Sequence, residues 1–152
     1  MTIHSEKRII RHRPQDLFDL VADVRRYPEF LPWCLAARMK DESANALTAE
    51  LIIGFNMFRE RFTSYVSLDR DALVITVNYA EGPFKHLTNH WRFLDHPDGC
   101  EIDFYVDFEF SSRLLQSVIE TLFTEAVKRM VRAFETRADT LYGVKKTGKN
   151  IF

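Results

Sequence analysis

The sequence predicts an α+β fold in one domain, with a curved antiparallel sheet wrapped around a long C-terminal helix. Three observations predict it. Apolar residues recur at helical spacing from Leu115 to Leu141; they alternate at period two over residues 34–110; and a proline-initiated helix separates the first strand from that β-rich stretch. A chain of 152 residues falls within the usual size of one domain, and no linker or internal repeat divides it. The domain is expected to span residues 1–143, followed by a disordered basic tail, 144–152, carrying Lys145, Lys146 and Lys149.

The first dozen residues predict an edge-type strand that Pro14 stops. Pro14 suits the first turn of a helix, where its missing N–H is harmless, and Leu17, Phe18, Leu20, Val21 and Val24 supply an apolar face, so the first helix is expected over about residues 14–23. Pro28 can start another short helix of at most one or two turns, and Pro32 must end it. This leaves YPEFLPW as a compact aromatic corner of Tyr27, Phe30, Leu31 and Trp33, a candidate pocket rim.

Breaks at 41–45, near Asn56, and at 69–71, 81–83 and 96–99 divide residues 34–110 into six strands in meander order. Alternation turns Leu47, Ala49, Leu51, Ile53 and Phe55 inward on one strand, and Leu87, Asn89, Trp91 and Phe93 on the penultimate one. On the last strand Ile102, Phe104, Val106, Phe108 and Phe110 face inward, while Glu101, Asp103, Asp107 and Glu109 form a wet face with Arg59, Arg61, Arg92 and Lys85 as available partners. In HPDG, Pro97 suits the second position of a type I turn and Gly99 the fourth. His96 should therefore pair with Gly99, placing Trp91 opposite Phe104, Phe93 opposite Ile102 and Arg92 opposite Asp103. Ser111 or Ser112 can cap the terminal helix, which ends where Gly143 allows a left-handed residue. Its length of about 30 residues corresponds to roughly 45 Å, enough to cross the sheet.

Composition narrows the function. A net charge of −1 removes the strong basic field of a dedicated nucleic-acid binder, although a local patch can survive inside a balanced total. Cys34 and Cys100 lie far apart with no CxxC spacing, so neither a zinc site nor a disulfide framework is indicated, and free thiols suit a reducing cytoplasm. The N-terminal residues lack the apolar stretch of a signal peptide, and no run approaches 18 apolar residues, so membrane contact is expected to be peripheral. His86 and His90 sit on a strand, where about 13 Å separates them, too far to share a metal ion. Cys34 has no histidine or basic residue as a near sequence neighbour, as an activated nucleophile would need. The sequence carries no phosphate loop, nucleophile elbow or zincin motif. The inward faces are read as nearly all apolar and free of acid/base groups, with Asn89 and Ser64 as polar exceptions that either hold a ligand oxygen or satisfy local backbone.

The segments PQDLFDLVADVRRYPEFLPWC, EGPFKHLTNHWRF and FEFSSRLLQSVIETLF resemble the coenzyme Q-binding START family and its bacterial ribosome-association toxin relatives, over about residues 3–143. The resemblance implies a helix-grip, START-like fold and a non-enzymatic carrier of ubiquinone, supporting respiration and ubiquinone biosynthesis. It further implies an apolar tunnel between sheet and helix, a wall type suited to an isoprenoid tail. Its lining and rim are expected from Tyr27, Phe30, Leu31, Trp33, Leu51, Phe55, Phe62, Phe84, Asn89, Trp91 and Phe104, closed by Val118, Leu122, Ala126 and Met130 of the helix, with small Ala126 leaving room for ligand. The expected protein is a cytoplasmic monomer that touches the inner membrane transiently and needs no metal or catalytic cofactor. The alternative partner is the large ribosomal subunit, whose joining the toxin relatives block. An aromatase/cyclase enzyme is a third reading of the same fold.

Overall fold

The computed structural model describes residues 2–55 and 58–143, so the expected tail lies outside it. In chain order the elements are β1 (Thr2–Ile10), α1 (Pro14–Ala22), a 3-10 helix (Val24–Glu29), β2 (Cys34–Lys40), β3 (Ala46–Phe55), β4 (Phe58–Asp69), β5 (Val74–Glu81), β6 (Phe84–His96), β7 (Gly99–Phe110) and α2 (Arg113–Tyr142). One seven-stranded antiparallel sheet has the order β1-β7-β6-β5-β4-β3-β2. The meander is thus extended by β1, which adds itself outside β7 and brings the start of the chain beside α2.

The β6–β7 register follows the turn chemistry: His96 faces Gly99, Trp91 faces Phe104, Phe93 faces Ile102 and Arg92 faces Asp103. Gly99 holds φ +137°, and a side chain there would run into the Ile10 carbonyl at the end of β1, so two constraints require glycine. The helical turn at the aromatic corner differs from the expectation. It begins at Val24, not Pro28, and Pro28 lies near its end, where the missing N–H stops it; the amides of Phe30 and Leu31 both donate to the Tyr27 carbonyl.

Ser112 caps α2, its hydroxyl accepting from the Leu115 amide at 3.2 Å. Gln116 ties the same end to the sheet, accepting from the Phe110 amide and donating to Thr2 Oγ1. The face of α2 buried in the core is Leu115, Val127, Val131, Phe134 and Ala138, with Ile119, Phe123, Met130 and Ala133 packed half-buried against it. This corrects the expected wall. Of Val118, Leu122, Ala126 and Met130, Met130 packs on the core, whereas Leu122 is exposed and Val118 and Ala126 stand beside the packed stripe. Each step of four residues turns about 40° past a full revolution, so the apolar stripe winds around the helix, and the curvature of the sheet decides which part of it is covered.

Candidate ligand seam

The pairing register lays side chains in transverse rows across the concave face. One row runs Ile75–Trp91–Phe104–Glu6, and the next runs Val77–Asn89–Val106–His4. The apolar members of the first are buried, whereas the second is half-buried throughout. Beside the second row lie half-buried Tyr79 and Leu87 on the sheet and half-buried Ile119 and Phe123 on α2. The result is an apolar seam under the N-terminal half of α2, half open to solvent. Toward the C-terminal half it closes down to a void of about 20 Å³ lined by Glu6, Arg8, Trp91, Phe104, Val131 and Phe134, among others.

The polar groups along this seam are tied to one another. Asn89 donates to the Tyr105 carbonyl at 2.8 Å and accepts from the Trp91 indole N–H at 2.9 Å, so its amide orients Trp91. On β1, His4 Nε2 lies 3.0 Å from Glu6 Oε1, Arg8 lies 3.7 Å from Glu6, and Arg8 donates to Glu135 of α2 at 2.8 Å. These charged groups overturn the expectation that the inward faces lack acid/base residues. Pairing puts Thr2, His4, Glu6 and Arg8 beside inward residues of β7, while Ile3 and Ile9 point to solvent, 53% and 48% exposed. An edge strand beside the margin of the helix can keep charged heads wet on its inner side.

The model for polyketide cyclase/dehydrase and lipid-transport proteins matches residues 10–135. The chain belongs to this family. Among family relatives, the ribosome association toxin RatA of Rickettsia prowazekii is 37% identical over 134 residues, covering 86% of this chain and 92% of that one. The mitochondrial coenzyme Q-binding protein COQ10 homolog B of Xenopus laevis is 36% identical over 92% of this chain, which spans 59% of that protein. The solution structure of CC1736 from Caulobacter crescentus superposes with a TM-score of 0.79 at 34% identity, over 95% of this chain and all of that one. The Zhui aromatase/cyclase of Streptomyces, at 14% identity and a TM-score of 0.80, shares the helix-grip fold.

Within this family member the expected lining residues fall into two groups. Leu31, Leu51, Phe62, Phe84, Trp91 and Phe104 are buried in the core, so Leu31 is core and not rim. Phe84 stacks on Phe110 at 4.5 Å and meets Phe62 edge-on. Tyr27, Phe30 and Trp33 are half-buried, and the rings of Tyr27 and Phe30 both meet Phe134 of α2 edge-on at 5.5 and 5.2 Å. The corner therefore clamps the C-terminal half of α2. Tyr27 donates its hydroxyl to the Val21 carbonyl, and burial pushes its ionisation well above the ordinary tyrosine range. The side chain of Phe55 lies outside the described residues.

Sequence reasoning missed the polar anchors of that clamp. His12, 2% exposed, lies 2.7 Å from Asp139, and Arg137 pairs with Glu29 while sitting over the Phe30 ring. A histidine two residues after an apolar strand end was a weak signal for the first, and nothing local signalled the second. Cys34 and Cys100 are free and buried, and burial raises their ionisation to about 11 and about 12. His86 pairs with Asp107 at 2.9 Å, and no cluster of three metal-ligating groups occurs among the described residues. Of the cations expected beside the β7 carboxylates, Lys85 meets Glu109 and Arg92 faces Asp103, whereas Arg59 and Arg61 stand on β4, three strands away. A wide depression of about 610 Å³ between the β1–α1 connection and the β6–β7 turn is lined mainly by polar residues, including Arg11, Arg13, Asp95 and Asp98, and does not suit an apolar ligand. No helix among the described residues is long and apolar enough to cross a membrane.

Proposed function

We propose that this chain binds a hydrophobic small molecule of the isoprenoid quinone class, ubiquinone, in the seam between the sheet and the N-terminal half of α2, and carries it without a chemical step. The observation behind this reading is the half-covered row Val77–Asn89–Val106 under helix residues Ile119 and Phe123. Apolar surface left half-wet inside a concave sheet is available for a ligand to complete. The void of about 20 Å³ deeper in holds about one water, so admission of a quinone requires the N-terminal half of α2 to move away from the sheet while the clamped half stays. A relative named for coenzyme Q binding supports the ligand class. Near the seam Glu6 and Glu135 both pair with Arg8, and His4 is hydrogen-bonded to Glu6. The test is a ubiquinone titration of wild type and Val106→Trp, with mass spectrometry of lipid extracted from the purified protein. Wild type should bind saturably, and the tryptophan should fill the seam and abolish binding at an unchanged melting temperature. A wild type that holds no lipid and does not bind quinone would sink the proposal.

A second reading, association with the large ribosomal subunit, is favoured by a concentration of positive charge on the outer face of β2–β4 and by relatives named ribosome association toxins. Cosedimentation with large subunits at physiological salt tests it.

A further inference from the structure

The convex face of the sheet is electrically divided. On β7 the outward residues Glu101, Asp103, Asp107 and Glu109 are acidic, with Tyr105 among them and Lys85, Arg92 and Lys7 among their neighbours. On β2, β3 and the stretch of β4 from Arg59 to Ser67, the outward charged residues are Arg38, Lys40, Arg59 and Arg61 against the single carboxylate Glu50. Between the two halves, β5 presents uncharged Thr76 and Asn78, and at its end Glu81 lies opposite Thr63 of β4. Arg38 and Lys40 both reach Glu50, at 3.2 and 3.0 Å, whereas Arg59 and Arg61 form no ion pair among the described residues. Glu50 is held below the usual carboxylate range by its hydrogen bond from Lys40, with Arg38 and Arg61 adding to the effect. Four cations on β2–β4 therefore face Glu50 among them and Glu81 at their border, and the neutral total conceals this patch. In the same face Tyr65 projects to solvent, 58% exposed, two strand positions beyond Thr63 and facing Thr48 and Asn78 across the neighbouring strands.

We propose that the β2–β4 half of the convex face is an RNA-binding surface, in which Arg38, Lys40, Arg59 and Arg61 contact phosphates and Tyr65 stacks on an unpaired base. The inference deepens the second reading above and is independent of the ligand seam, which lies on the opposite face of the sheet. Residues two apart on a strand stand about 7 Å apart on one side, so Arg59 with Arg61, and Arg38 with Lys40, make two parallel files of positive charge. A polyanion lying along such files is held by charge and oriented by stacking, the combination that binds single-stranded nucleic acid on a sheet. Anionic lipid is the lesser fit, because a membrane-docking face needs apolar residues projecting beyond the charges; the large side chain at the centre of this one is a tyrosine flanked by Thr63 and Ser67, and Leu35, exposed at its edge, packs over Gly54.

The test uses the full chain and a fluorescein-labelled single-stranded RNA oligonucleotide, followed by anisotropy across a salt series, with Arg59→Ala/Arg61→Ala, Tyr65→Ala and the control Lys7→Ala/Arg92→Ala on the acidic half. Wild type should bind with affinity that falls as salt rises, and the Arg59/Arg61 variant should lose about 0.7 from the log–log salt slope for each contact removed. Tyr65→Ala should weaken binding about tenfold or more with an unchanged salt slope. The control should bind as wild type does, and all variants should melt as wild type does and keep any quinone binding. No RNA binding at low salt, equal loss in the control, or binding to phosphatidylglycerol vesicles in place of RNA would overturn the proposal. Cosedimentation with large subunits separates the two levels. Pelleting of wild type and the Arg59/Arg61 variant alike keeps the ribosome reading and removes this surface; RNA binding through this face without pelleting does the reverse.

Discussion

The two halves of α2 are made of similar residues and are held in different ways. From Val127 to Ala138 the helix sinks Val127, Val131, Phe134 and Ala138 into the core, is gripped by Tyr27 and Phe30, and is pinned by pairs to Arg8, His12 and Glu29. From Arg113 to Ala126 it buries Leu115, rests Ile119 and Phe123 half-buried on the sheet, and leaves Leu114 and Leu122 exposed at 66% and 38%. Local stability follows buried apolar contact, so one helix combines a fixed anchor with a half that opens at lower cost. Hydrogen exchange should show this directly, with amides of 116–126 exchanging faster than those of 128–138. Uniform protection along α2 would remove the distinction.

Substitutions at the anchor should have the largest effects. Phe134 meets Trp91, Tyr27 and Phe30, so Phe134→Ala should cost about 3–5 kcal/mol in denaturant unfolding, the usual range for deleting a core aromatic ring. Ala138 is fully buried, and Ala138→Leu should cost about 1–3 kcal/mol through overpacking, measured the same way. Alkaline pH should attack the clamp without a mutation. Tyr27, Cys34 and Cys100 all ionise at higher pH when folded, because burial disfavours their charged forms. The sign follows from linkage. Below the unfolded thiol range, near pH 8.5, the groups are protonated in both states and contribute no pH dependence; above it the unfolded chain releases protons that the fold retains, so stability falls as pH rises from about 9 toward 12. Denaturant midpoints that stay constant between about pH 8 and 10.5 would contradict this. The smallest effect belongs to the open half, where Leu122→Gln should change stability by no more than about 0.5 kcal/mol, a surface value. A large loss there would mean that the exposed stripe carries hidden packing.

The fold was legible because its signals are local. Pro14, the HPDG turn, the alternation of β7 and the Ser112 cap each fix an element or a register from a few adjacent residues. The candidate site was legible only in part. Alternation identified Trp91, Phe104 and Asn89 as inward, but it could not tell a packed core position from a seam position, because both need the same apolar residue. On β1 the hydrophobic cue pointed the wrong way: Ile3 and Ile9 would be assigned inward, yet His4, Glu6 and Arg8 take that side. A strand at a sheet edge has its faces chosen by the partner it finds, and Glu135, which fixes Arg8, is 127 residues away.

The sequence by itself determined the order of elements, the β6–β7 register, the length of α2 and the family, because turn geometry, periodicity and motif are written in neighbouring residues. Tertiary structure alone decided which turn of α2 is clamped and which is open, and that the cations of β2–β4 gather on one half of the convex face while the acids of β7 gather on the other. Both depend on distances across the curved sheet, where residues remote in the chain become neighbours through strand pairing and the winding of the helix against it.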